Sequence, residues 1–164
     1  MSSKKQINTS EPHREAQNDL AGRLLALDPG EKRVGVGISD EMHLTVRPLR
    51  ALRYTNWKKL LLEVKELLRE FDAKALVIGL PLSLDGIERS SAKGVAELKR
   101  KFALSLDVPI FLQDERLTSH EAEESLRAAG HGTDSVRQLL DSESAAIILR
   151  DFIEDLANRL EVKP

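Results

Sequence analysis

Apolar positions along this chain switch between a period of two and a period of three to four, and the switches mark out strands and helices in a definite order. Leu24 to Asp28 is a short apolar run closed by Pro29-Gly30, and Val34 to Ser39 resumes after a tight connection, so the pair predicts a hairpin. In the second strand Gly35 and Gly37 alternate with Val34, Val36 and Ile38. One of its faces is therefore bare, as close approach of another element or of a ligand requires. A third strand is expected from Thr45 to Leu49, where Pro48 restricts it to an edge or a strand end.

The pattern then lengthens. Trp57, Leu60, Leu61, Val64, Leu67, Leu68 and Phe71 follow the spacing of a helix buried on one side, with Thr55 or Asn56 available as its cap. Ala75 to Gly79 is a continuous apolar strand ended by Leu80-Pro81, and a second helix from about Ser91 turns Val95, Leu98 and Phe102 inward. Ile110 to Gln113 is the next strand. Thr118 with Glu121 has the form of a capping box opening a helix toward Ala129, and Gly130, Gly132 and Thr133 suggest a break before Asp141. The last helix, opened by Asp141, puts Ala145, Ile148, Leu149, Phe152, Leu156 and Leu160 on one face. A three-strand antiparallel meander followed by crossover units predicts an α/β fold, a mixed five-stranded sheet flanked by helices. Residues 1–22 are polar and aperiodic and read as a flexible tail, leaving 23–164 as a single domain.

Composition narrows the classes of function. The chain has 164 residues, 41% of them hydrophobic, enough for one core. Its charged fraction of 32% is nearly balanced, and a net charge of −2 gives no global attraction to a polyanion, so any nucleic-acid contact needs a local basic patch. With no cysteine, disulfides and thiolate metal sites are excluded. No apolar run is long enough to span a bilayer and no secretory leader is visible, so the expectation is a cytoplasmic protein with no membrane association.

Three carboxylates stand where regular structure begins or ends: Asp28, Glu115 and Asp141. Acids contributed by distant segments to one cleft suit a hard cation and hence phosphate chemistry. Each has a plainer explanation. Asp28-Pro29-Gly30 is also a good turn, Glu115 can pair with a surface cation, and an Asp that starts a helix is often only its N-cap. Lys32, Arg33 and Arg116 lie beside these acids, where a cation can hold substrate phosphate. Gly79 and Pro81 end a strand on the edge where sheet ligands bind. Further cations cluster at Arg47, Arg50, Arg53, Lys58 and Lys59, and at Lys93, Lys99, Arg100 and Lys101. Either cluster supplies salt-dependent affinity for a phosphate backbone or is simply the wet face of its helix. Aromatic content is 4%, so no base-stacking platform is visible, and the four histidines show no metal-ligand spacing.

Taken in order, Asp28-Pro29-Gly30-Glu31-Lys32-Arg33-Val34-Gly35, Gly79-Leu80-Pro81 with Asp85-Gly86, Asp114-Glu115-Arg116-Leu117-Thr118, and Asp141 with Ala145-Ala146 resemble the YqgF/RuvX family from about Leu24 to Leu160. The family is described as ribonuclease-H-like, linked to maturation of pre-16S ribosomal RNA and formerly to Holliday-junction resolution. That resemblance implies a ribonuclease-H-like domain and a metal-dependent endonuclease, with Asp28, Glu115 and Asp141 as both catalytic and metal-binding acids. It further implies two Mg²⁺ or Mn²⁺ ions; such a pair, about 4 Å apart, activates water and stabilises the leaving oxygen of a phosphodiester. Lys32, Arg33, Gly79, Pro81 and Arg116 would then contact substrate. The expected partner is nucleic acid, structured RNA or branched DNA, met by a monomer or a homodimer.

Three other functions fit parts of the pattern. A junction-resolving DNA endonuclease uses the same chemistry but needs paired sites in a dimer. A nucleotide-clamping protein of the actin and sugar-kinase type also opens with Asp-x-Gly on a hairpin, but requires two such domains. A non-catalytic module binding ribosomal RNA or transcription machinery would keep the acids for shape alone.

Overall fold

The computed structural model describes residues 20–81, 92–114 and 133–161, with side chains described within the last segment only for 142–159. Five strands form one sheet: β1 (Leu24–Pro29), β2 (Arg33–Ser39), β3 (Val46–Arg53), β4 (Ala75–Leu80) and β5 (Ile110–Asp114), in spatial order β3-β2-β1-β4-β5. β1 to β3 are an antiparallel meander, whereas β1, β4 and β5 are parallel. The helices described are α1 (Trp57–Glu70), α2 (Ala92–Ala103) and α3 (Thr133–Glu161). This is the mixed sheet expected from the hydrophobic pattern. The helix expected from Thr118 to Ala129 and the greater part of the tail, residues 1–19, lie outside the described residues.

Strand alternation divides the interior into two layers. Leu25, Leu27, Val34, Val36, Ile38, Leu76 and Ile78 face α1 and α2, packing on Leu60, Leu61, Val64, Leu68, Val95, Leu98 and Phe102. Leu24, Ala26, Ala75, Val77 and Phe111 face α3, packing on Ile148, Leu149, Phe152 and Leu156. Both faces of β1 are closed, which is why that strand reads as a continuous apolar run. Fully buried leucines such as Leu24, Leu25, Leu27 and Leu76 each contribute about 1.5–3 kcal/mol. Leu20 packs against the α3 layer, so the chain is tied down before β1 begins.

Local chemistry fixes the boundaries. Asn56, in extended conformation, caps α1: its Oδ1 accepts from the Lys59 amide at 2.9 Å. Pro48 sits on β3, an edge strand, where a missing amide costs no ladder bond. β3 runs four residues beyond the expected Leu49, because the one extra residue of a bulge at Arg50-Ala51 is absorbed and pairing resumes at Val34–Leu52 and Arg33–Arg53. At the other end of the sheet the Ser39 hydroxyl accepts from the buried Leu24 amide at 2.8 Å.

α3 requires a correction. The glycines at 130 and 132 suggest a break reaching to Asp141, yet the helix begins at Thr133. Between Thr133 and Glu161 there is no glycine or proline to interrupt it. Asp141 therefore stands inside the helix, past its second turn. It does not serve as an N-cap.

Candidate active site

The bare face of β2 is covered by α3. A methyl group on Gly37 would meet the Ala146 nitrogen at 3.1 Å and the Ala145 carbonyl carbon and oxygen at 3.2 Å, so helix backbone rests on strand backbone. Ser142, Ala145 and Ala146 are buried, small, and spaced three and four apart, which is what lets the helix sit this low. Of the two alternatives open for the glycines, another element or a ligand, the element accounts for Gly37. The same contact brings the helix turn that carries Asp141 over the sheet.

Asp28 lies on the α3 face, because Leu24 and Ala26 of the same strand pack there. Its cross-strand partner on β2 is Gly35. On the other side Leu27 pairs with Ile78, so the next residues along, Asp28 and Gly79, lie side by side. Both lateral neighbours of Asp28 on this face are thus buried glycines, and the half-buried carboxylate rises from a floor without side chains. Gly79 in turn pairs with Gln113 of β5. Asp28, Gly79 and Gln113 form one row across the carboxyl ends of three parallel strands, the edge of a sheet at which ligands bind in α/β folds. The sequence flags Gly35 and Gly79 separately; only the register shows that they flank one carboxylate.

Gln113 faces α3, since its Nε2 donates to Asp155 Oδ2 at 2.9 Å. It opens a cleft of about 420 Å³ lined by Gln113, Asp114, Asp151, Glu154, Asp155 and Asn158. β5 ends at Asp114, so Glu115 follows directly from this row, but Glu115 and Arg116 lie outside the described residues, as does the side chain of Asp141. Pro81 is half-buried immediately after β4. Among the described residues no three histidines, cysteines or acids stand close enough to hold a metal ion. Of the three expected acids, Asp28 alone has a described side chain.

The cations sort by face in a way their sequence order hides. Arg47 stacks over Phe71 at 5.6 Å, and Lys58 and Lys101 stand 5.8 and 5.0 Å from the Trp57 ring, so the two expected clusters meet on the α1 and α2 side. That side is opposite the Asp28 carboxylate. Arg100 is held by Glu97, which raises its pKa through the hydrogen bond between them, and it behaves as a solvated helix-face residue. On the Asp28 face stand Arg33, two residues from Gly35 on β2, and its cross-strand partner Arg53. Lys32 is exposed in the three-residue connection Gly30-Glu31-Lys32 between β1 and β2, and its carbonyl accepts from the Tyr54 amide at 2.9 Å.

No described helix is long and apolar enough to cross a membrane. A search of solved structures finds the same fold in RuvC of T. thermophilus, solved in complex with Holliday junction substrate. The TM-score is 0.53 at 16% identity, with 82% of this chain and 96% of that chain covered. Among curated proteins, relatives from Anaeromyxobacter sp. (strain Fw109-5) and Syntrophus aciditrophicus (strain SB), both named "Putative pre-16S rRNA nuclease", are 36% and 35% identical. The matches cover 80% and 82% of this chain and 96% and 90% of those proteins. A third of the same name, from Gloeothece citriformis (strain PCC 7424), is 39% identical over 79% of this chain and 86% of its own length. Residues 22–155 match the family model described as RuvX, Holliday junction resolvase. The chain belongs to the RuvX family.

Proposed function

We propose that this protein is a divalent-metal-dependent endonuclease that hydrolyses phosphodiester bonds in pre-16S ribosomal RNA, trimming its 5′ end in the cytoplasm. The observation that carries the reading is the position of Asp28: a half-buried carboxylate on the central strand, flanked by Gly35 and Gly79 and roofed by the helix that carries Asp141. A carboxylate set among glycines has room beside it for something other than protein, and a backbone can approach closely there.

Asp28, Glu115 and Asp141 are all oxygen donors, the set that suits Mg²⁺ or Mn²⁺. When bound, such ions supply an activated water and neutralise charge on the leaving oxygen. Asp28 holds its carboxylate in place through the ladder on both sides of β1, so little reorganisation is needed when substrate arrives. Glu115 is two residues past Gln113, which lies on the Asp28 face across the glycine at 79. Adjacent strands are about 4.8 Å apart, so β1 and β5 are separated by roughly twice that, a span two acidic side chains can bridge through an ion. Asp141 comes from above, on α3. Gly79 leaves space for the sugar-phosphate backbone, and Pro81 stands immediately after the end of β4.

The relatives' names favour ribosomal RNA as substrate, whereas the family description favours a four-way DNA junction. The test is to incubate the purified protein with a 16S precursor fragment and, in parallel, with a four-way DNA junction, each with Mg²⁺ or Mn²⁺, and to map the ends produced. Cutting of the precursor near the mature 5′ end, with the junction intact, is the expected result. Symmetric nicking of the junction by a dimer would instead establish the resolvase, and cleavage of neither would refute the nuclease.

A further inference from the structure

Arg33 and Arg53 occupy directly opposite positions on the antiparallel pair β2 and β3. Like charges placed this way repel and destabilise a sheet, and an edge strand offers many other places for an arginine. Among the described residues neither side chain has a hydrogen bond or ion pair, and the Arg33 Nη1 is buried without an acceptor. A guanidinium nitrogen shut away from water in that state is an unfilled demand for an anion.

Their face fixes which anion. β2 keeps strict alternation against β1, with Val34, Val36 and Ile38 in the α1 and α2 layer, so Gly35 and Arg33 share the Asp28 face. The bulge at Arg50-Ala51 shifts β3 by one residue, and without it Arg53 would not stand opposite Arg33. Asp28 pairs with Gly35, and Arg33 is two residues further along β2, a diagonal neighbour at about 7–8 Å. A nucleic-acid strand lying across this end of the sheet presents phosphates to both positions.

We propose that Arg33 and Arg53 form a two-pronged clamp for a backbone phosphate neighbouring the one at Asp28, which sets the path of the strand across β1, β2 and β3. The clamp rests on the nuclease reading for the identity of its ligand. Two planar donor forks grip a phosphate with defined geometry, which lysines would not do. Because the contact is to phosphate, it positions the strand and is indifferent to base sequence.

The test is fluorescence anisotropy with a labelled RNA hairpin bearing a single-stranded 5′ flank, in EDTA so that no cleavage occurs, over a range of KCl concentrations. Each of Arg53→Gln and Arg33→Gln should lower the slope of log affinity against log salt by about 0.7–0.9, and the double variant by about twice that. Arg33→Lys should keep the slope but bind more weakly. Lys65→Gln, on the exposed side of α1, should change neither. Relief of repulsion should also raise the melting temperature of free Arg53→Gln, by up to about 3 °C, which shows that weaker binding is not unfolding. An unchanged slope in both glutamine variants, or an equal fall in Lys65→Gln, overturns the clamp. Cleavage by the unaltered protein is scored separately: a lowered slope with no cleavage under any ion supports the clamp and refutes the nuclease, and cleavage with an unchanged slope does the reverse.

Discussion

Replacing Gly37 with valine puts the packing of α3 on the sheet under direct stress. The first added carbon alone would stand 3.1–3.2 Å from three backbone atoms of Ala145 and Ala146, where carbon atoms at rest are about 3.5–4.0 Å from their neighbours. All three atoms belong to helix backbone at residues with no exposed surface, so nothing can swing aside; the helix must lift. Overfilling a packed interior typically costs about 1–3 kcal/mol. Against this, replacing a strand glycine restricts the unfolded chain and returns about 0.4–1 kcal/mol. Gly37→Ala should therefore lose about 0–2 kcal/mol, and Gly37→Val, whose two further carbons enlarge the overlap, about 2–4 kcal/mol. At about 2–4 °C per kcal/mol for a chain of this size, the valine variant should melt roughly 4–16 °C lower. Urea denaturation followed by circular dichroism is the assay, with an unchanged m-value showing that both variants unfold from the same compact state. A lifted helix also carries Asp141 away from Asp28, so cleavage by folded Gly37→Val should fall further than its loss of stability explains. If Gly37→Val is as stable as the unaltered protein, α3 does not lie on the β2 glycine and the roof over Asp28 is wrongly placed.

Three further perturbations test the surrounding frame. Ser39→Ala strips the acceptor from the buried Leu24 amide and should destabilise by about 1–3 kcal/mol in urea denaturation, more than Ser39→Thr, which keeps the hydroxyl. Asn56→Ala removes the cap of α1 and should cost about 1 kcal/mol, with a matching drop in melting temperature. Asp40 accepts from the Thr45 amide at 2.8 Å, and that bond, the largest cause, holds its pKa below the ordinary carboxylate value. Its contribution is present above the unfolded-state pKa and is lost as pH falls through the depressed folded value, so Asp40→Asn should lower stability at neutral pH, flatten the acid limb of the stability profile and converge with the unaltered protein at low pH.

Much of the fold could be read in the sequence because each layer has its own period. Leu24 to Leu27 is apolar on both faces and is buried on both, and the alternating glycines of β2 announce the contact that α3 makes. Two features were hidden for physical reasons. The second half of β3 loses its alternation at Arg50-Ala51, where a bulge adds a residue, so Arg53 reads as one more member of a basic run although it faces the other side of the sheet from Arg47. The early turns of α3 were hidden by Gly130 and Gly132, which punctuate the chain strongly, and by Asp141, whose residue type mimics a cap. Within the site, Asp28 could be singled out by its place after an apolar strand. Its setting between Gly35 and Gly79 could not, because strand register joins residues far apart in sequence and no local pattern encodes it.

The account depends most on the Asp28 carboxylate. Its replacement by asparagine keeps shape and volume while removing the charge and part of the capacity to hold a divalent ion. The decisive measurement is the single-turnover cleavage rate of a 16S precursor fragment by Asp28→Asn and the unaltered protein, in Mg²⁺ and in Mn²⁺, with equal melting temperatures as evidence of folding. The account predicts rapid cleavage by the unaltered protein that EDTA abolishes, and a rate at least about 10²-fold lower for the variant, as expected when a group acting on the transition state is lost. Equal rates for the two proteins would contradict it.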